Sequence, residues 1–379
     1  MRNLFLLLFS LTSFIVFSQK ITDTIHSFKL NETRELKISL PESYKKNPEK
    51  KYPLLLLLDG DYLLDPFQGA LKYGAYWDDL PEVIIVGITQ NKNNERFSDC
   101  TINEKTGQLE GKGNDFYDFI ELELLPHIHN KYRTGNFQVI AGHDTTAGFL
   151  NFFLFNNQSL FNAYISLSPE LAFNMETRIP EKLALSNTPV FYYQSTADGD
   201  VVKMQERIRK LDSALKEIPI TSINYQFDEF KNSSHYALVL HSIPNALNQI
   251  FNVYQPISMI EFNTKIANLP SGYVNYLEKK YQIIENSYGI KLSIRINDFK
   301  AIEAAILKNK AYDELDALSV LAKKNYPKSM LADYTLALLY EKKGDTKNAV
   351  KYYKNAFQKE EIGNLTKDNM LEKAESFKK

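Results

Sequence analysis

The stretch "FQVIAGHDTTAGFLNFFLF", Phe137–Phe155, decides how the chain is read. Its first half is an apolar run, as a strand buried on both faces should be. Its second half carries apolar residues at helical spacing, and Gly142 supplies the turn between them. A strand, a sharp turn and a helix form the junction on which the pattern G-x-S-x-G exposes a nucleophilic serine. This chain offers Gly142, His143, Asp144, Thr145 and Thr146 there. An aspartate stands in the serine's place.

Working outward, "YPLLLLLDGD" and "EVIIVGITQ" are apolar runs upstream of the junction, and "AYISLSPEL" and "TPVFYYQSTADGD" follow it. "SFKLNETRELKISLP" alternates like one half-exposed strand ending at Pro41. Helical patterns lie between the runs: "DFYDFIELELLPHIHNKY", "AGFLNFFLFNN" and "DVVKMQERIRKLDSALKE". Strands alternating with helices predict an α/β fold with a doubly wound, mainly parallel sheet. Its chemistry belongs at the carboxyl ends of the strands, so the residues just past each run are the candidates.

The chain has 379 residues, enough for one large domain and a smaller one. Lys plus Arg is 45 against 46 for Asp plus Glu, which gives no support to nucleic-acid binding or attraction to a membrane surface. "MRNLFLLLFSLTSFIVFSQ" has one Arg, an apolar run and small polar residues near Ser18. It predicts a signal peptide over residues 1–18. No later segment has the apolar length of a membrane span. Cys100 is the single cysteine, so no internal disulfide can form, and "RFSDCTI" supplies no base to activate a thiolate. Export without disulfides fits a bacterial periplasm or medium.

Near Tyr254 the pattern changes to helical and Lys-rich. The expected division is a domain over residues 19–254 and a helical tail over 255–379, with the boundary between Tyr254 and Asn268. Within the tail, "DYTLALLYEKKGDTKNAVKYYKNAFQ" resembles a tetratricopeptide repeat through Ala337, Tyr340, Gly344, Asp345, Ala349, Tyr353 and Ala356. Pro327 ends a weaker neighbouring copy. The simpler alternative, a helical hairpin with packed aromatics, predicts the same local fold.

At the junction Asp144 takes the nucleophile's place. Asp198 and Asp200 leave the fifth run, with Asp198 the first choice as acid partner. His235, in "KNSSHYALV", is the histidine expected between a strand and a helix. The segment from about Phe28 to Tyr254 resembles the putative-esterase family of α/β-hydrolases, relatives of esterase D and the enterobactin esterases. "LLLLLDGDYLL", "ERFSDCT", "NDFYDFIELELLPHIHNKYRTGNFQVIAGH" and "NSSHYALV" follow that family's motifs in order. The resemblance implies catalytic roles for His235 and for Asp198 or Asp200. It also implies oxyanion donors at the backbone of Gly60, Asp61 or Tyr62 and of Thr145. Its serine falls on position 144, where this chain departs, and Thr145 and Thr146 replace the glycine-rich continuation.

Three readings follow. Attack of Asp144 on an ester carbonyl gives a mixed anhydride, no more stable than the ester itself. Attack on a saturated carbon, as in haloalkane dehalogenases and epoxide hydrolases, gives an ordinary ester that a base can hydrolyse. The third reading is a secreted binding protein on a hydrolase fold. Its ligand would be a small ester-like molecule, with the helical tail open to a protein partner. No cofactor is expected: "GKGND" and "GDTKNA" lack the context of phosphate loops. No metal is expected either, since His127 and His129, two apart on a helix, face different ways.

Overall fold

The computed structural model describes residues 20–156, 159–186, 190–218 and 223–377. The expected signal peptide, residues 1–18, lies outside them.

Eight strands form one sheet in the order β1-β2-β4-β3-β5-β6-β7-β8. They are β1 (Lys20–Ser27), β2 (Glu32–Ser39), β3 (Tyr52–Leu57), β4 (Ile84–Ile88), β5 (Thr134–His143), β6 (Ala163–Leu167), β7 (Val190–Gly199) and β8 (Ile223–Ser234). β2 runs antiparallel to β1 and β4, and every pair from β4 through β8 is parallel. This is the mainly parallel α/β fold that the apolar runs predict. Each residue of β3, β4 and β6 is buried, as a sheet covered on both faces requires. Leu54, Leu56, Ile84, Val86, Ile140 and Tyr164 meet in its main core, each worth about 2 kcal/mol relative to exposure.

Three elements differ from the sequence reading. The stretch read as one strand before Pro41 is split: β1 precedes it, the chain turns at Asn31 with φ 52°, and only Glu32–Ser39 belongs to β2. Asn tolerates that left-handed conformation, so the hairpin has a local cause. A 17-residue helix, Gly60–Tyr76, directly follows β3. Its start crosses β4 so closely that a Cβ on Gly60 would lie 2.5 Å from the Gly87 backbone. The helical stretch after Lys112 is broken by a π turn at Phe119–Leu124, just before Pro126. Proline lacks the N–H that would close a regular turn there, and the widened turn accommodates it.

Contacts divide the chain into two compact units. The first runs through Lys72, Glu82–Thr134 and Gln138–Ala246. The second takes Tyr73–Pro81, Gly135–Phe137 and Leu247–Lys379. The second unit therefore gathers short pieces from the first half of the sequence, because Phe137 packs its ring on Phe251 and Tyr288 at 5.8 and 5.1 Å. Its six longer helices end with the hairpin Leu331–Lys342 and Thr346–Phe357 and the helix Lys367–Ser376. Ala337, Ala349, Tyr353 and Ala356 pack in its core, and the Asp345 side chain caps the second hairpin helix through Asn348 N. Among the described residues no helix is long and apolar enough to cross a membrane.

Candidate active site

β5 ends at His143, and the helix Thr145–Phe149 starts two residues later. Asp144 makes the turn with φ 61° and ψ −119°, a conformation L-residues adopt rarely and at some cost. Three backbone bonds hold it there. Its N–H donates to Leu167 O at 2.9 Å, and its carbonyl accepts from Gly148 N at 3.0 Å and Glu170 N at 3.1 Å. Gly148 has no freedom to be larger, since a Cβ there would fall 1.9 Å from Glu170 O. Thr146, where the motif wants glycine, is fully buried. Its hydroxyl donates to the Asp59 carboxylate at 2.6 Å and accepts from His143 N at 3.0 Å. The hydroxyl is therefore tied into the turn.

β7 and the β8 terminus deliver the second half of the site. His235 Nδ1 lies 2.5 Å from Asp200 Oδ1. That carboxylate also accepts from Ser168 Oγ at 2.7 Å, Thr196 Oγ1 at 2.7 Å and Ala197 N at 3.2 Å. With the Nδ1–H donated to the Asp200 carboxylate, Nε2 is the atom left for proton transfer. Burial works to raise the Asp200 carboxyl, but hydrogen bonds from His235, Thr196 and Ser168 hold it below the usual range. The bond to Asp200 raises the His235 imidazole above its ordinary value. Burial opposes this, while the charges of Asp200 and Asp144 add to it.

Arg96 joins the two halves. Its Nε donates to the buried Asp59 at 2.7 Å, its Nη2 to His143 O at 2.7 Å, and its Nη1 lies 3.4 Å from Asp144 Oδ2. Behind it a buried polar chain continues. Gln90 accepts from Asp59 N and donates to Asp99, and Asp99 pairs through both oxygens with Arg34. His143 completes the cluster. Its ring lies 4.5 Å from that of His235, its Nε2 is 3.2 Å from His235 O, and its Nδ1 is 3.2 Å from the Tyr62 hydroxyl. Burial, then the neighbouring His235 charge, push the His143 imidazole down to about 4. With His143 neutral, a proton on Nε2 faces the His235 carbonyl, and the single Tyr62 hydroxyl proton goes to the Asp59 carboxylate at 2.9 Å. The two adjacent imidazoles are thus driven in opposite directions.

The structure pairs His235 with Asp200 and couples Asp144 to His235 through charge. Asp198, the first choice for the acid, does not join them. It is exposed, and its carboxylate accepts from Asn232 N at 3.1 Å. The β7–β8 register is irregular between Ala197 and Gly199, which turns Asp198 outward, and Asp200 is the first residue past the strand. Gly60 and Thr145 stand at the first positions of their helices, where N–H groups have no partner within the helix. Tyr62 N is already bonded to Asp59 O at 3.2 Å, which removes it as an oxyanion donor. The Asp61 carboxylate is taken up by Gln90 N and Asn91 N. Among the described residues no hydrogen bond joins Asp144 to His235; the two interact through charge. Arg96, Asp59, Ser168 and the His143 ring are the site members that the sequence reading lacks. Asp59 and Ser168 stand just past β3 and β6, the positions the strand-end rule marks, while Arg96 lies further along the loop after β4. Cys100 is buried, and burial pushes its thiol well above the usual value, opposite to a thiolate nucleophile. Among the described residues no cluster of His, Cys, Asp and Glu is suited to hold a metal ion.

Comparison with known proteins bears on the family and the fold. A model of the putative esterase family matches residues 27–214. An uncharacterised protein from Capnocytophaga ochracea is 29% identical, with a TM-score of 0.84 over 95% of this chain and 99% of its own. An IroE-like serine hydrolase from Shewanella oneidensis is 20% identical, with a TM-score of 0.61 over 80% of this chain and 99% of its own. A siderophore hydrolase from Aspergillus nidulans is 16% identical, with a TM-score of 0.50 over 64% of this chain and 96% of its own. The last two share the α/β-hydrolase fold with this chain. A search of curated proteins returns no match.

Proposed function

We propose, for a chain whose residues 27–214 belong to the putative esterase family, that the site binds a small ester-like ligand and does not hydrolyse it. The observation that carries this reading is the Asp144 carboxylate at the strained turn, 3.4 Å from Arg96 and coupled by charge to His235. A carboxylate there gives carbonyl attack only an anhydride, with no fall in energy to drive the first step. The imidazole beside it holds its proton more tightly than usual, which suits an acid or a hydrogen-bond donor and not a base near neutral pH. The site thus keeps an imidazole and the helix starts at Gly60 and Thr145, groups that would grip an ester's oxygens. Residues 1–18 are proposed as an export signal, and the hairpin at Leu331–Phe357 as a tetratricopeptide-like surface for a partner.

The test is hydrolysis of p-nitrophenyl acetate by wild type, Asp144→Ser, and Asp144→Ser combined with His235→Ala. Oxyanion donors and binding alone leave catalysis on the order of a thousandfold over water, so variants must be compared with one another. The expected order is a large gain for Asp144→Ser over wild type and loss of that gain in the double variant. Robust wild-type turnover that disappears in Asp144→Ala contradicts the reading. Chemistry at saturated carbon retains a route through Asp144. Oxygen-18 from water entering its carboxylate during a single turnover of an epoxide or haloalkane would establish that route and overturn the binding-only reading.

A further inference from the structure

The second compact unit holds a cavity of about 520 Å³ that the reading of Asp144 does not use. Its walls include Trp77, Asp78, Tyr254, Arg295, Asn297 and Tyr326. Trp77 follows the helix Gly60–Tyr76, stands 58% exposed, and packs edge-on against Tyr76 at 5.0 Å. The Arg295 guanidinium lies 4.6 Å over the Tyr254 ring, and its Nη2 donates to Asp78 O at 3.2 Å. Its Nη1 is buried and reaches no hydrogen-bond partner. Asp298, the acid nearest in sequence, is occupied by Ile257 N and the Tyr281 hydroxyl. Among the described residues no salt bridge reaches Arg295, although the charge of Asp298 acts on its guanidinium. The helix Ile296–Lys308 begins at the same wall, and Asp298 N and Phe299 N both return to Arg295 O.

We propose that this cavity binds a small planar aromatic carboxylate. A guanidinium held by stacking presents its edge for two parallel bonds to a carboxylate, and the helix start adds a favourable field for an anion. Three aromatic residues, Trp77, Tyr254 and Tyr326, line the walls and favour a flat aromatic body over an aliphatic one. Asp78, also in the lining, disfavours a second negative charge, which selects a monoanion over a phosphate dianion. The volume lies within the range of small-ligand pockets.

Trp77 is the one tryptophan of the chain, so tryptophan emission excited beyond the tyrosine band reports on this cavity. Full-length protein is titrated with benzoate, benzamide, cyclohexanecarboxylate and phenyl phosphate, with calorimetry in parallel. The expected result is saturable binding of benzoate, at least tenfold tighter than each of the other three. Arg295→Gln should weaken benzoate at least tenfold while circular dichroism stays unchanged. Absence of saturable benzoate binding by both methods overturns the proposal. So does benzamide, cyclohexanecarboxylate or phenyl phosphate binding as tightly as benzoate. These ligand comparisons use the unaltered protein and decide the matter even if Arg295→Gln does not fold.

Discussion

His143 should make the fold lose stability in mild acid, and the size of the loss can be worked from the site. The ring is 2% exposed and packed at a tilt against His235, and its imidazole is pushed from the usual 6.5 to about 4 by burial and by the charge of His235. The native state holds it neutral, while the unfolded chain takes up a proton below about 6.5. The unfolded state therefore binds more protons across this window, and stability falls as pH falls. The gap between 6.5 and about 4 is worth roughly 3 kcal/mol at about 1.4 kcal/mol per pH unit. His235 works with the opposite sign. Its raised value stabilises the fold below the ordinary imidazole range and loses that contribution as pH rises through the folded value. The assay is urea denaturation of wild type and His143→Gln at steps between pH 7.5 and 4. At neutral pH the variant carries a constant penalty for its altered contacts with Tyr62 and the His235 carbonyl. Toward pH 4 the difference between the two proteins should narrow or reverse by roughly 3 kcal/mol. A difference that stays flat over that range refutes the assignment of His143 as the neutral, buried imidazole.

The acid partner can be settled by following the His235 ring through a pH titration in magnetic resonance spectra. Asp200→Asn should lower its midpoint, and Asp198→Asn should leave it in place; the reverse pattern would restore Asp198 as the acid. Thr146→Val removes the hydroxyl that serves Asp59 and His143 N and should cost about 1–3 kcal/mol in chemical denaturation. A stability equal to wild type would mean the hydroxyl is dispensable. Gly148→Ala places a methyl 1.9 Å from Glu170 O, and overpacking of this kind typically costs about 1–3 kcal/mol. An unchanged midpoint would mean that the Glu170 loop yields freely.

What the sequence makes legible is what repeats along it. The runs at Leu54–Leu57, Ile84–Ile88 and Ala163–Leu167 are apolar throughout because parallel strands are covered on both faces, and that pattern needs no tertiary information. The turn at Asp144 and the loop at His235 are legible because glycine and serine punctuation marks them. The grouping of Arg96, Asp59 and Ser168 is not, since they sit past three different strands and become neighbours only through the order of the sheet. The helix Gly60–Tyr76 escapes because Pro66 lies inside it and glycine opens it, both poor helix signals. Asp198 and Asp200 are two residues apart, and only the irregular register at the end of β7 decides which one turns inward. The second unit's claim on Tyr73–Pro81 and Gly135–Phe137 is likewise invisible in chain order.

The central claim is that an intact His235–Asp200 pair stands beside an elbow residue of the wrong chemistry. Labelling with a fluorophosphonate tests it most directly, because an activated serine displaces fluoride and retains the phosphonyl group, and intact mass with peptide mapping locates the adduct. The account predicts no adduct on wild type, one adduct at position 144 of Asp144→Ser, and none when His235→Ala is added. A folded Asp144→Ser protein that stays unlabelled, or a wild-type adduct on Asp144 that depends on His235, would contradict it.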